Sequence, residues 1–144
     1  MKVSDAMTRN VQVANPDQSI QAAAQIMADL DAGSLPVGED DRLVGMVTDR
    51  DIAVRAVAAG KGPHTPVREV MSKEVKYCFE DDDTEQVARN MSDQQLRRLP
   101  VVSREKRLVG ILALGDLTAI DGGRTAGEAL QGISQAGGKH SQTH

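Results

Sequence analysis

Apolar and polar positions along this chain switch between two periods, and the same sequence of switches happens twice. Val11-Gln12-Val13 alternates as a short strand does. From Asp17 or Ser19 onward the period becomes helical, with Ile20, Ala23, Ala24, Met27 and Leu30 on one stripe. Two apolar runs follow, Leu35-Pro36-Val37 and Leu43 to Val47, joined by the charged turn Glu39-Asp40-Asp41-Arg42. A helix is predicted after Thr48. The second pass opens on Val75-Lys76-Tyr77-Cys78, then a helix from Asp83 with Val87 and Met91 inward, ending near Gln94-Gln95. Strands follow at Leu99 to Val102 and Leu108 to Leu112, joined by Ser103-Arg104-Glu105-Lys106, and a last helix starts after Ala113 or Gly115.

The two passes are copies. Val3 to Thr8 recurs 64 positions on as Val67 to Ser72, with Met7 matching Met71. At the same offset Ala24 meets Ala88, Met27 meets Met91, and Leu35-Pro36-Val37 meets Leu99-Pro100-Val101. One inserted residue makes the offset 65, so Gly45 meets Gly110 and Asp51-Ile52 meets Asp116-Leu117. A unit of about 60 residues is too small to bury a full core by itself. The expected fold class is therefore α+β: two tandem β-α-β-β-α repeats packed as one pseudo-twofold module. The boundaries are residues 1–60 for the first repeat, 61–66 for a linker rich in Gly and Pro, and 67–121 for the second repeat. Residues 122–138 form a helical extension. Thr125-Ala126-Gly127-Glu128 reads as its capping box, Leu130 and Ile133 face inward, and Gly137-Gly138 stop it. Residues 139–144 read as a disordered tail.

Charge and composition exclude several functions. A net charge of -4 argues against a nucleic-acid surface, which needs clustered Lys and Arg. One Tyr and one Phe provide no stacking platform for single strands. The lone Cys78 rules out an intrachain disulfide and reads as a small buried hydrophobe. His64, His140 and His144 form no metal site by spacing. No apolar run reaches membrane-spanning length and no secretory h-region opens the chain, so a cytoplasmic protein away from membranes is expected. No nucleophile–base set and no P-loop is visible, so an enzyme is not expected.

The candidate chemistry lies in Gly45-Met46-Val47-Thr48-Asp49-Arg50-Asp51-Ile52, where a buried strand runs into a helix. Its copy is Gly110 to Leu117. A hydroxyl and a carboxylate three residues apart suit either a capping box or a ligand. An ionised Asp facing a vicinal diol accepts two charge-assisted hydrogen bonds, each about 1.5–3 kcal/mol. The helix start beside Thr48 suits an anionic phosphate, to which Arg50 adds charge.

These motifs, in matching order and twice over about residues 1 to 120, resemble the CBS (cystathionine β-synthase) domain pair, or Bateman module. The architecture is similar to small stand-alone bacterial CBS-pair proteins of the hypoxic-response-protein type. The resemblance implies a non-catalytic regulatory module in signal transduction, binding an adenosine-containing ligand such as AMP, ATP, NAD or S-adenosylmethionine in clefts between the repeats. It implies ribose contacts from Asp51 and Asp116, a phosphate or ribose contact from Thr48, and phosphate contacts from Arg97 or Arg98, which precede the second Leu-Pro-Val. It places Tyr77-Cys78 and Val101-Val102 as further walls. It also implies a homodimer, for which the Ala22 to Met27 stripe suits close helix contact. The chain departs from the pattern at Ala113, which stands where the second motif has a hydroxyl. One principal site at Thr48 and Asp51 is therefore expected, the alternative being a structural or interaction dimer with vestigial clefts.

Overall fold

The computed structural model describes residues 1–135. The expected stop at Gly137-Gly138, the end of the extension, His140, His144 and the tail lie outside the described residues. The chain opens with a single helical turn, α1 (Val3–Ala6). Helix α2 (Ile20–Leu30) follows, then strands β1 (Ser34–Glu39) and β2 (Arg42–Thr48). Next comes α3 (Asp49–Asp51), which continues as a π-helical stretch, Ile52–Val57. The second pass contains β3 (Cys78–Phe79), α4 (Thr84–Gln94), β4 (Arg98–Val102) and β5 (Leu108–Ala113). A 3-10 stretch, Leu114–Ala119, stands where the first pass has its π-helix, and α5 (Arg124–Ile133) closes the described chain. The α+β class and the doubled unit stand as read.

Local chemistry explains the boundaries. Ser19 caps α2 by accepting from Ala22 N at 3.1 Å, and Asp83 accepts from Gln86 N at the start of α4. Both helices end on a left-handed residue, Asp31 (φ 52) and Gln95 (φ 56), which are 64 positions apart. The hairpin β1–β2 is antiparallel and turns through Asp40 and Asp41, at φ 53 and 64. Two consecutive positive φ values make the tight reversal whose twist matches the strands.

The chain clusters into two compact units whose borders do not follow the repeats. One holds Gln12–Val75 with Lys106–Leu108; the other holds Met1–Val11, Lys76–Glu105 and the described residues from Val109 on. The reason is an exchange of leading segments. Ser72 and Met46 trade backbone hydrogen bonds at 2.9 and 2.8 Å, so the second repeat's leader pairs with β2. Thr8 and Ile111 trade two at 2.9 Å, so the first repeat's leader pairs with β5. Glycine is required at both contacts. A Cβ at Gly45 would lie 2.9 Å from Ser72 O, and one at Gly110 would lie 2.9 Å from Thr8 O. Each unit has its own core: Ile20, Leu35, Val37, Val47 and Val67 in one, Val3, Val87, Met91, Leu112 and Leu117 in the other.

Five expectations are corrected. The strand read at Val11-Gln12-Val13 reduces to one parallel bridge, Ala14 to Val37. Its counterpart 64 positions on is Cys78 to Val101, where β3 pairs parallel with β4 and starts at Cys78 rather than Val75. Ala24 and Leu30 are exposed, and α2 buries Ile20, Ala23 and Met27. On α5, Leu130 faces outward at 41% exposure, while Ala126, Ala129 and Ile133 face inward. The Thr125–Glu128 box does not cap α5. Asp121 does so instead, accepting from Thr125 N at 2.9 Å and from its hydroxyl, because Gly122 and Gly123 take φ 69 and 90 and turn the chain back.

Helix α5 lies on α4 through a glycine. A Cβ at Gly132 would overlap the Ser92 hydroxyl and come within 2.9 Å of its Cβ. Gln95 Nε2 also donates to Gly132 O at 3.2 Å and Gln135 O at 2.6 Å, closing the end of α5. Gly132→Ala is expected to lower stability by about 1–3 kcal/mol, as overpacking does. Adding Ser92→Gly is expected to restore part of that in urea denaturation; no recovery would show that the clash lies elsewhere.

Candidate functional site

The first motif folds into a reciprocal corner. Thr48 ends β2 in extended backbone, and the chain turns directly into α3. Asp51 N donates to Thr48 Oγ1 at 3.0 Å, and Thr48 N donates to Asp51 Oδ2 at 3.0 Å. This is a complete capping box. It occupies one carboxylate oxygen of Asp51. The other, Oδ1, lies 3.7 Å from Arg55 Nε, one helical turn on, and the side chain is 18% exposed. Arg55 also reaches the carbonyls of Val70 and Met71 at 3.4 and 3.5 Å. Ser34 stands directly opposite Thr48 across the β1–β2 ladder, so both hydroxyls share one face. The Arg50 side chain is on an exposed residue of the same turn, and its backbone N donates to Asp49 Oδ1 at 2.8 Å.

The second corner repeats the backbone but not the side chains. Asp116 Oδ2 accepts from Ala113 N at 2.8 Å. Ala113 has no oxygen to return the bond, so only half of the box forms. Asp116 Oδ1 accepts instead from Thr8 Oγ1 at 3.4 Å, a hydroxyl brought in by the exchanged leader. Leu114 N donates to Arg97 O at 2.9 Å, as Asp49 N does to Gly33 O at 2.9 Å. Arg97 and Arg98 are both exposed beside this corner.

The structure thus groups Thr48, Asp51 and Arg50 in one corner, and Asp116, Arg97 and Arg98 in the other. Cys78 and Val101 belong to a core: Val101 has no exposed surface and Cys78 is 4% exposed. They form the parallel β3–β4 pair. Tyr77 is exposed and stacks edge-on against Phe79. Sequence reasoning missed Thr8, Ser34 and Arg55. The recurrence of Thr8 as Ser72 and the four-residue spacing of Asp51 and Arg55 were the available signals.

Burial, with Asp82 nearby, pushes the Cys78 thiol from 9.0 up to about 12. The unfolded thiol ionises first, so this contribution to stability is present below pH 9.0 and is lost as pH rises toward 12. Cys78 is expected to resist a thiol reagent at pH 8 until the protein is denatured; fast labelling of the folded protein would contradict its burial. Among the described residues no group of three or more His, Cys, Asp or Glu is placed to hold a metal ion, and no helix is long and apolar enough to cross a membrane.

Comparison with known proteins places this geometry. A model of the CBS domain matches residues 3–57 and 67–123. The CBS domain-containing protein YhcV of Bacillus subtilis is 44% identical over 92% of this chain and 94% of its own. Hypoxic response protein 1 of Mycobacterium tuberculosis is 40% identical over 78% of this chain and 80% of its own. A crystal structure of that protein type, described with two coordinated zinc ions, aligns at TM-score 0.74 with 36% identity, covering 83% of this chain and 98% of the other. The CBS domain pair of MJ0100, in complex with 5′-methylthioadenosine and S-adenosyl-L-methionine, aligns at TM-score 0.72 with 30% identity over 86% and 98%. CBSX2 in complex with AMP aligns at TM-score 0.72 with 27% identity over 82% and 93%. This chain therefore belongs to the CBS domain family and carries the domain twice.

Proposed function

We propose that the protein is a non-catalytic regulatory module that binds an adenosine-containing small molecule, with Asp51 accepting from the ribose diol. The observation that carries this is the division of labour within one carboxylate. Asp51 Oδ2 closes the cap, while among the described residues Oδ1 has only a long ion pair to Arg55. An ionised carboxylate has about four acceptor positions, so capping and diol binding are compatible. Thr48 is held beside it by the same box. MJ0100 and CBSX2, whose structures contain adenosyl ligands, support the ligand class. The non-catalytic reading is supported by the chemistry in hand: Thr48 and Asp51 are bonded to each other, and the Cys78 thiol is buried and neutral.

A second reading has its own observation. The box alone satisfies Thr48 and Asp51, and Ala113 lacks a hydroxyl, which suits an interaction module that binds nothing. Titration calorimetry with AMP, ATP, NAD and S-adenosylmethionine separates the two. Saturable heat with at least one of them below about 1 mM, worth about 4 kcal/mol, supports the sensor. No heat and no thermal shift with any of the four supports the interaction module.

A further inference from the structure

The Arg55 guanidinium is stretched between two places and closes on neither. Its Nε lies 3.7 Å from Asp51 Oδ1, and its Nη1 lies 3.4 Å from Val70 O and 3.5 Å from Met71 O. Charge-assisted N–H···O bonds settle at about 2.7–2.9 Å, so all three contacts are long. Arg50, the other cation of the corner, is exposed, and among the described residues the ion pair of Asp51 is with Arg55. Val70 is fully buried, and neither its carbonyl nor that of Met71 accepts a backbone hydrogen bond among the described residues. These carbonyls belong to the second repeat's leader, which meets β2 one residue later through the Ser72–Met46 bonds. All of these residues lie in one compact unit. The helical register holds the arginine in this position. Ala58 N donates to Ala53 O and Lys61 N to Ala56 O, each at 2.9 Å and each five residues back. A π turn holds more residues than an α turn, so a side chain four positions on stays nearly under the first, and such turns concentrate at functional sites. The second repeat lacks both parts: Ile120 stands 65 positions on from Arg55, and the stretch through Asp116 is 3-10.

We propose that Arg55 is a coupling residue, which passes occupancy of the Asp51 carboxylate on to the second repeat's leader. The inference rests on the reading of Asp51 as a ribose acceptor. Oδ2 is committed to Thr48 N, so a diol engages Oδ1, the oxygen that Arg55 faces. The arginine then gives up its long ion pair and closes on Val70 O and Met71 O. There its planar fork makes short charge-assisted bonds to two neighbouring acceptors, which fastens the leader to the helix as well as to β2. The guanidinium keeps its proton in both places, so the transfer needs no change of charge. Ligand and leader are linked because one side chain makes different contacts in the two states, which is what coupling between sites requires.

The test is hydrogen exchange of the Ser72 amide, read residue by residue on the full chain with and without saturating adenosine, beside calorimetry for binding. In the wild-type protein adenosine is expected to slow that exchange by about fivefold or more, as one added hydrogen bond on the leader would. In Arg55→Met the slowing is expected to fall below about twofold while adenosine still binds. A merely structural arginine would change exchange equally with and without adenosine, so the ligand-dependent difference is the readout. The Arg55 side chain is 54% exposed, so the fold is expected to survive its replacement. Arg55→Lys, which keeps the charge but not the fork, is expected to retain part of the slowing and serves if Arg55→Met does not fold. Equal slowing in wild type and variants, or saturable adenosine binding with no slowing in wild type, overturns the coupling and leaves the ribose reading standing. A folded Arg55→Met that no longer binds adenosine makes the arginine part of the ribose site and also overturns the coupling. Wild-type protein that binds no adenosine overturns both.

Discussion

Asp51→Asn is expected to weaken adenosine binding by about tenfold or more, the equivalent of one charge-assisted hydrogen bond, with stability changed by less than about 1 kcal/mol. The separation of the two effects follows from the corner's geometry. The cap needs one neutral or charged acceptor facing Thr48 N, and Asn provides it about as well as Asp. That orientation turns the amide NH2 toward the place of Oδ1, where the ribose hydroxyls and Arg55 need an acceptor. Asp51→Ala is expected to lose the ligand equally and also the half of the box that Thr48 N makes to the carboxylate, while residue 51 N still donates to Thr48 Oγ1, adding a cost of about 1 kcal/mol. Calorimetry for the ligand and urea denaturation for the fold read the two quantities separately. If Asp51→Asn lowers stability by several kcal/mol and leaves affinity untouched, the carboxylate only caps.

Gly110→Val is expected to cost about 3 kcal/mol, combining overpacking with weakening of two backbone hydrogen bonds. The added Cβ would sit 2.9 Å from Thr8 O and against the Met7 thioether. Neither backbone can yield without separating Thr8 from Ile111, which trade hydrogen bonds at 2.9 Å. The segment that would be displaced contributes Val3 and Met7 to the core of its unit. For a domain with about 5–15 kcal/mol of stability, such a loss is large. Gly115 has open space around it, so Gly115→Ala serves as the control, with a change within about 0.5 kcal/mol. Protection of the first eleven residues from proteolysis should fall in Gly110→Val alone. A valine tolerated at 110 with unchanged denaturation would refute the exchanged-leader contact.

Features set by neighbours in sequence were legible before any coordinates. The duplication, the caps at Ser19 and Asp83, the strand pairs and the Thr48–Asp51 corner all rest on spacings of a few residues. What escaped depends on distant partners or on backbone angles. The strand read at Val11-Gln12-Val13 is a bridge at Ala14, because a parallel neighbour selects the residue and alternation does not. The cap of α5 moved from Thr125 to Asp121 because two positive φ values redirect the chain, which composition allows but does not dictate. Thr8 joins Asp116 only because the leader is exchanged, across a separation of 108 residues. The Thr48–Asp51 capping box was therefore readable, while its neighbours Ser34 and Arg55 emerged from the fold.

The claim on which the account turns is that Asp51 reads both hydroxyls of a ribose. Calorimetry of the wild-type protein with adenosine against 2′-deoxyadenosine tests it most directly. The account predicts that removing the 2′ hydroxyl weakens binding by about tenfold or more. Equal affinity for the two nucleosides would contradict it.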